Sequence, residues 1–117
     1  MVLYRLDLDS PTARQFKILA NVNSLEGFLS KLKPISKRII LFGSCSQGTD
    51  VRQSDIDMMI LTDEQKDVRE KIAKFNSSAK RRIAPILVDA NELAKLRLDD
   101  KPLYDNIERG IVLWEAQ

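Results

Sequence analysis

Apolar residues spaced three or four positions apart predict a long amphipathic helix near the start of the chain. Ser10 and Pro11 suit an N-cap and a first helical turn, and Pro34 suits the end of the helix. The apolar positions between them lie on one helical face. They are Phe16, Leu19, Val22, Leu25, Phe28, Leu29 and Leu32.

Short apolar runs further along the chain predict buried strands. They are Arg38–Phe42, residues 57–61 and Ile83–Val88. Pro85 cannot donate a ladder hydrogen bond, so the third run is predicted to be an edge strand or to contain a bulge. Residues 111–114, which follow Gly110, predict a fourth, short strand.

Capping patterns predict helices between these strands. Thr62 and Gln65 can form a capping box, as can Asp89 and Glu92, and residues 103–108 predict a further short helix. The inner face of the helix after Thr62 is assigned to Val68, Ile72, Phe75 and Ala79. The order helix, strand, turn, strand, helix, strand, helix predicts an α/β (α+β) fold in which helices flank a small mixed sheet.

Length and composition exclude several kinds of site. The 117 residues suit one domain, over residues 1–117, with a single hydrophobic core. The chain has no histidine, and Cys45 is its only cysteine. An internal disulfide, a zinc site with the usual nitrogen and sulfur ligands, and catalysis by Ser-His-Asp or Cys-His are therefore excluded. Cys45 is interpreted as a small turn residue.

Charge argues against nucleic acid or a membrane as the main partner. Nineteen basic and seventeen acidic residues leave a formal charge of +2, so any phosphate binding must be local. The basic residues 80–82 are interpreted as complementing the dipole at a helix end.

Charges within residues 1–9 argue against a signal peptide, and no apolar run approaches the roughly 20 residues that span a bilayer. We expect a cytoplasmic protein.

Residues 43–61 combine a small-residue turn with paired carboxylates. Gly43 lets the backbone approach a phosphate closely, and the Ser44 hydroxyl can donate a hydrogen bond to it. Asp55 and Asp57 are two positions apart at the start of a strand, so both carboxylates lie on the same face while Ile56 points to the opposite one. A bound divalent cation such as Mg²⁺ commonly offsets the repulsion between two carboxylates this close together. Phosphoryl or nucleotidyl transfer needs this arrangement.

The spacing Gly43-Ser44, ten residues, Asp55-x-Asp57 resembles the signature of the DNA polymerase β-like nucleotidyltransferase superfamily, in particular its minimal, stand-alone members. Gly48 within the turn, an apolar strand on each side and the tail PLYDNIERGIVLWE fit as well, so the resemblance spans about residues 39–114. It implies that Asp55 and Asp57 are catalytic metal ligands and that Gly43 and Ser44 contact the β- and γ-phosphates of a nucleotide.

Two positions depart from that pattern. Many relatives carry arginines in the turn, where this chain has Cys45 and Gln47, so Arg52 or a residue elsewhere would have to supply phosphate affinity. Active relatives usually place a third carboxylate near the start of the third strand. This chain has Ala84 there, and Asp89, at the far end of the strand, is interpreted as a helix cap.

Two functions stay open. The first is an enzyme that transfers a nucleoside monophosphate, with AMP expected, from a Mg²⁺-bound NTP to a hydroxyl acceptor. The resemblance implies the antitoxin of a toxin–antitoxin pair whose partner is a helical HEPN-type toxin, and a homodimer could also complete the site. The second is a catalytically silent module that binds nucleotide or a partner, which the missing third carboxylate favours.

Overall fold

A computed structural model describes residues 10–117 of the chain. Four strands form one sheet: β1 (Arg38–Phe42), β2 (Ile56–Leu61), β3 (Ile83–Val88) and β4 (Ile111–Glu115). Their order is β3-β2-β1-β4, with β1 antiparallel to both of its neighbours and β2 parallel to β3. The sheet is therefore mixed, as predicted, and β3 with Pro85 lies at an edge.

Helices cover both faces of this sheet. They are α1 (Pro11–Leu32), α2 (Ser44–Gln47), α3 (Gln65–Ser78), α4 (Ala90–Asp99) and α5 (Lys101–Glu108), and a 3₁₀ turn (Lys33–Ile35) follows α1. One core cluster joins α1 and α3 to the sheet through residues such as Leu29, Ile72 and Met58. A second cluster joins α4 and α5 to the other face around Met59 and Ile107. The α+β class is confirmed.

The first predicted helix forms between its predicted ends, but only its second half packs on the sheet. Leu25, Leu29 and Leu32 are buried, whereas Phe16 is 65% exposed and Leu19 is 56% exposed. The N-terminal half of α1 instead contacts the loop after β1, where the backbone of Arg14 lies against Gly48. A side chain at Gly48 would collide with that backbone, so the glycine permits the contact.

The predicted capping box at Thr62 and Gln65 is wrong. The Thr62 hydroxyl donates to the Ile35 carbonyl group and accepts from the Glu64 amide, and α3 begins without a side-chain cap. Buried Thr62 therefore ties the end of β2 to the turn after α1. The second predicted box is confirmed, because the Asp89 and Glu92 side chains each accept from the other's backbone amide.

None of the helices described is long and apolar enough to cross a membrane. The prediction about a signal peptide concerns residues 1–9, which lie outside the described residues.

Candidate active site

The two predicted metal ligands lie where the central strands meet the loop after β1. Asp57 is the second residue of β2, in register with Phe42 on β1 and Ala84 on β3. Asp55 directly precedes the strand and is exposed. Ile56 is buried in the cluster with α1 and α3. Strand alternation therefore directs Asp57 toward the opposite face, as the sequence predicts.

The electrostatic environment of Asp57 disfavours its ionised form. Burial raises the pKa of the Asp57 carboxyl group, and the neighbouring charge of Asp55 raises it further. Both effects come from placing negative charge in a partly desolvated position. A cation bound beside the two carboxylates would oppose both effects, so this pair suits a divalent metal ion.

Gly43 brings the predicted phosphate turn directly against Asp57. Its backbone has φ 71° and ψ −154°, a conformation that is open almost only to glycine. A β-carbon built on Gly43 would lie 2.5 Å from Asp57 Oδ2. Ser44 follows as the first residue of α2, and its hydroxyl makes no hydrogen bond within residues 10–117. The turn therefore offers close backbone access and a free hydroxyl beside a carboxylate.

Replacing Gly43 by alanine is expected to destabilise the fold by about 1–3 kcal/mol, because of the backbone conformation, and to displace the Asp57 carboxylate. Gly27→Ala is a matched control, because Gly27 lies within α1 and a β-carbon there meets nothing within 4 Å. This control should stabilise the protein by about 0.5–1 kcal/mol. Urea unfolding of both variants checks the prediction, which fails if Gly43→Ala unfolds like the parent.

A buried polar network holds the loop that connects the turn to Asp55. Asp50 is only 5% exposed and pairs with Arg81, whose Nη1 lies 3.0 Å from Asp50 Oδ2. The Arg81 guanidinium also donates to the Ser54 carbonyl oxygen at 3.0 Å, directly before Asp55. From α1, the Asn21 amide donates to Asp50 Oδ1 and to the Cys45 carbonyl oxygen, both at 3.1 Å. Arg81 thus reaches the loop from the segment that follows α3.

Cys45 belongs to this network. It is buried, and its sulfur accepts a hydrogen bond from Arg81 Nη2 at 2.8 Å. Burial raises the pKa of the Cys45 thiol, and the positive charge of Arg81 opposes part of that rise. The thiol therefore stays protonated at neutral pH, which supports its interpretation as a structural turn residue.

The role assigned to the basic residues 80–82 needs correction. Helix α3 ends at Ser78, and its last turn contains no basic residue. Lys80, Arg81 and Arg82 follow the helix, and Arg81 bonds to the loop instead of to the helix end. The desolvated carboxylate of Asp50 provides a stronger partner than the helix dipole does.

A third carboxylate is missing from the described part of this site. No group of three or more acidic, histidine or cysteine side chains in residues 10–117 is placed to hold a metal ion. Ala84 occupies the position level with Asp57. Asp89 follows Val88, which pairs with Leu61 at the other end of β2, and it caps α4 as predicted.

Two clefts open on either side of Asp55. The basic cleft, of about 940 Å³, is lined by Lys17, Asp50, Val51, Arg52, Gln53, Asp55, Lys80, Arg81 and Arg82. The second cleft, of about 580 Å³, shares Asp55 and Arg82 and is bounded by α3 and the start of β3, including Ala84. Asp55 is therefore accessible from two directions.

Comparison with known proteins identifies the family. The profile of the nucleotidyltransferase domain matches residues 22–113, which include the turn, both aspartates, the strands β1 to β3 and the first three residues of β4. The chain belongs to the nucleotidyltransferase domain family. No curated protein gives a significant match.

Solved structures agree with this assignment. A toxin–antitoxin structure with AMP-PNP is 32% identical, with a TM-score of 0.54, over 83% of this chain and 75% of that chain. A mutant of the toxin–antitoxin MntA-HpeT is 29% identical, with a TM-score of 0.53, over 82% of this chain and 74% of that one. A protein from Sulfolobus solfataricus assigned to the nucleotidyltransferases has a TM-score of 0.57 over 93% of both chains, and at 14% identity it supports the fold alone. The predicted resemblance to minimal nucleotidyltransferases is confirmed.

Sequence reasoning missed the residues that support the site of this nucleotidyltransferase. Asn21, Asp50 and Arg81 come from three separate parts of the chain, and Arg81 lies 60 positions from Asn21. None of them belongs to a short motif. Only the fold brings them together, so no local pattern could have indicated the network.

Proposed function

We propose that this nucleotidyltransferase transfers AMP from Mg²⁺-bound ATP to a hydroxyl group of a partner protein. The observation that supports the proposal is the close approach of Gly43 to Asp57, one of the two proposed metal ligands. Gly43 and Ser44 would hold the β- and γ-phosphates, and Asp55 and Asp57 would hold the metal ion. The relative solved with AMP-PNP, an ATP analogue, supports the choice of nucleotide.

The available side chains fit a magnesium ion. Mg²⁺ in phosphoryl-transfer sites commonly binds one or two protein carboxylates and takes its remaining ligands from substrate phosphates and water. Asp55 and Asp57 supply two carboxylates, and the raised pKa of Asp57 indicates a position that favours a nearby cation. When bound, the ion would neutralise charge on the departing pyrophosphate.

The transfer itself requires little covalent chemistry from the protein. The acceptor oxygen forms a bond to the α-phosphorus, and the bond from that phosphorus to the oxygen bridging to the β-phosphate breaks. Pyrophosphate leaves with the bonding electrons, and the hydroxyl proton passes to solvent. The Ser44 hydroxyl and the close backbone at Gly43 orient the leaving phosphates, so positioning is the chain's main contribution.

The two toxin–antitoxin relatives support a protein acceptor. A helical HEPN-type toxin encoded by a neighbouring gene is the partner we propose, and this chain would act as its antitoxin. A domain of 117 residues has little surface left for recognising an acceptor once a nucleotide is bound. A partner chain therefore completes the acceptor side of the site.

Transfer of label from α-³²P-ATP tests this function. The chain is incubated with Mg²⁺ and the product of its neighbouring gene, and an Asp55→Asn, Asp57→Asn double variant serves as the control. We expect label on the partner with the parent chain, none with the double variant, and none when γ-³²P-ATP replaces the α-labelled nucleotide. Label from the γ-phosphate would instead identify a phosphoryl transferase.

A silent nucleotide-binding module is the second candidate function. The observation that favours it is Ala84 in register with Asp57, where a third carboxylate would otherwise help to activate the acceptor. This alternative predicts Mg²⁺-dependent binding of ATP by the parent chain without transfer of label to any partner. The same labelling experiment, combined with equilibrium binding of ATP, separates the two functions.

Replacing Ala84 by aspartate is expected to raise the rate of transfer at least about tenfold, because a positioned general base commonly contributes more than that. Ala84 and Asp57 lie on neighbouring parallel strands in register, so their side chains share a face about 5 Å apart. Single-turnover labelling measures the effect. Ala84→Asn provides a control of similar size without a base, and equal rates for the two variants would contradict the prediction.

A further inference from the structure

The basic cleft beside Asp55 has a strong excess of positive charge. Of residues 10–117, five cationic side chains and two carboxylates line it, an excess of three positive charges, whereas the whole chain has an excess of only two. The rest of the chain is therefore slightly negative. Such local concentration of one sign in a concave site attracts an oppositely charged ligand.

Most of these cations are available to a ligand. Arg81 is paired with buried Asp50, and Lys17 donates to the Asp50 carbonyl oxygen at 2.6 Å. Arg52, Lys80 and Arg82 are exposed, and their side chains have no ion pair or hydrogen bond within residues 10–117. In the cleft, Arg81 and Lys17 are therefore held by their contacts with Asp50, while the other three cationic side chains are free to contact a ligand.

The position of the cleft assigns it to the acceptor side of the proposed reaction. Of the four predicted site residues, only Asp55 lines the cleft, while Gly43, Ser44 and Asp57 do not. In an in-line displacement, the acceptor approaches the α-phosphorus from the side opposite the leaving phosphates. With those phosphates held at Gly43 and Ser44, the acceptor arrives from a side that the turn does not line.

The second cleft lacks such an excess of positive charge. Its charged lining consists of Arg69, Arg82 and Asp55, and it includes aliphatic residues such as Ile72 and Pro85. An anionic acceptor would therefore favour the basic cleft. In the described part of the chain, no aromatic side chain lines the basic cleft, and single-stranded nucleic acids usually require one for base stacking. A protein segment suits it better than RNA or DNA.

We propose that the basic cleft binds an acidic segment of the acceptor protein, next to the hydroxyl group that receives the nucleotide. This inference rests on the proposed transfer reaction. Arg52, Lys80 and Arg82 would contact carboxylates of that segment, and exposed Val51 would contact its aliphatic parts. Binding of the acidic segment would bring the hydroxyl group to Asp55.

Kinetics of a Lys80→Gln, Arg82→Gln double variant test the assignment. The acceptor is the product of the neighbouring gene, and the matched control is Lys66→Gln, Lys95→Gln, which removes the same charge from exposed helical positions outside both clefts. We expect the KM for the acceptor to rise about tenfold at low salt, with the KM for ATP and kcat unchanged. A rise in the KM for ATP would overturn the proposal by assigning the cleft to the triphosphate.

A binding measurement that needs no transfer separates failure of the cleft from failure of the reaction. The probe is a fluorescein-labelled peptide of about ten residues rich in glutamate, titrated with the full chain in Mg²⁺ and AMP-PNP. We expect binding by the parent and the control variant, and loss of binding in the cleft variant or with a glutamine-for-glutamate peptide. Equal binding by all three proteins, or tighter binding of a single-stranded RNA of similar length, would overturn the proposal even if transfer occurs.

Discussion

Replacing Asp57 by asparagine is expected to lower nucleotide transfer at least about a hundredfold, because the proposed role of Asp57 as a metal ligand at the reacting phosphates would contribute several kcal/mol. The same change should raise the stability of the protein in a chelator. Burial and the charge of Asp55 raise the pKa of Asp57, so its ionised form destabilises the fold. Activity and stability should therefore change in opposite directions.

The sign of the stability effect follows from that raised pKa. The folded chain binds the Asp57 proton more tightly than the unfolded chain does, so the relative stability that this residue provides is lost as pH rises through its folded-state pKa. Asp57→Asn removes this loss. In EDTA, we expect the variant to match the parent at acidic pH and to exceed it in melting temperature near neutral pH.

Thermal unfolding at several pH values checks this expectation. Asp99→Asn is the control, because it removes an equal charge from an exposed position at the end of α4. Adding Mg²⁺ and ATP should stabilise the parent by about 2.7 kcal/mol at a hundred times the Kd, but should stabilise Asp57→Asn much less. A variant that loses activity and also melts lower in EDTA at neutral pH would indicate a structural role for Asp57.

Replacing Arg81 by methionine is expected to destabilise the fold by about 3 kcal/mol or more, because it leaves the buried carboxylate of Asp50 without its ion pair. Asp50 is almost fully buried, and the pair distance is 3.0 Å. The loop from Cys45 to Ser54 would also lose the guanidinium that connects its two ends. Urea unfolding measures the effect.

The sole cysteine reports on the same loop without any assay of activity. Cys45 is buried under Arg81, so its thiol should react slowly with a disulfide reagent in the parent chain and faster in Arg81→Met. Arg81→Lys keeps the charge but loses the planar set of donors, so it should fall between the two. Equal thiol reaction rates in all three proteins would show that Arg81 does not hold the loop.

A double-mutant cycle identifies the source of the lost stability. If the cost of Arg81→Met comes from an unpaired charge at Asp50, adding Asp50→Asn should recover part of it. A purely additive loss in the double variant would instead assign the effect to lost packing of the guanidinium. The double variant should still show a mobile loop by thiol reaction, because the guanidinium contacts to Ser54 and Cys45 remain absent.

The sequence predicted the elements whose signals are local. The apolar runs of β1 and β3 were assigned with their observed bounds, and β2 begins at Ile56, one residue before the predicted start. The box at Asp89 and Glu92 formed because both partners lie within one helical turn. Thr62 failed as a cap because its hydroxyl bonds to Ile35, 27 positions away. Local propensity cannot anticipate such a competing tertiary partner.

In the candidate site too, local sequence patterns predict some features, whereas others depend on tertiary packing. The spacing of Gly43, Ser44, Asp55 and Asp57 indicated the site from sequence, and the fold brings Gly43 against Asp57. The functions of these four residues stay predictions. The network around Arg81 and the basic cleft depend on which distant segments meet, and the balanced total charge concealed the local excess of cations. Only three-dimensional packing reveals both features.

Pro85 on the edge strand has a consequence for association of the protein. An exposed sheet edge offers a row of amide and carbonyl groups to any strand from another molecule. Pro85 has no amide hydrogen and lies within the short edge strand β3, in register with Met58. A second chain aligned on this edge would find the row of donors interrupted. The β3 edge of the sheet is thus protected against pairing with a strand of another molecule.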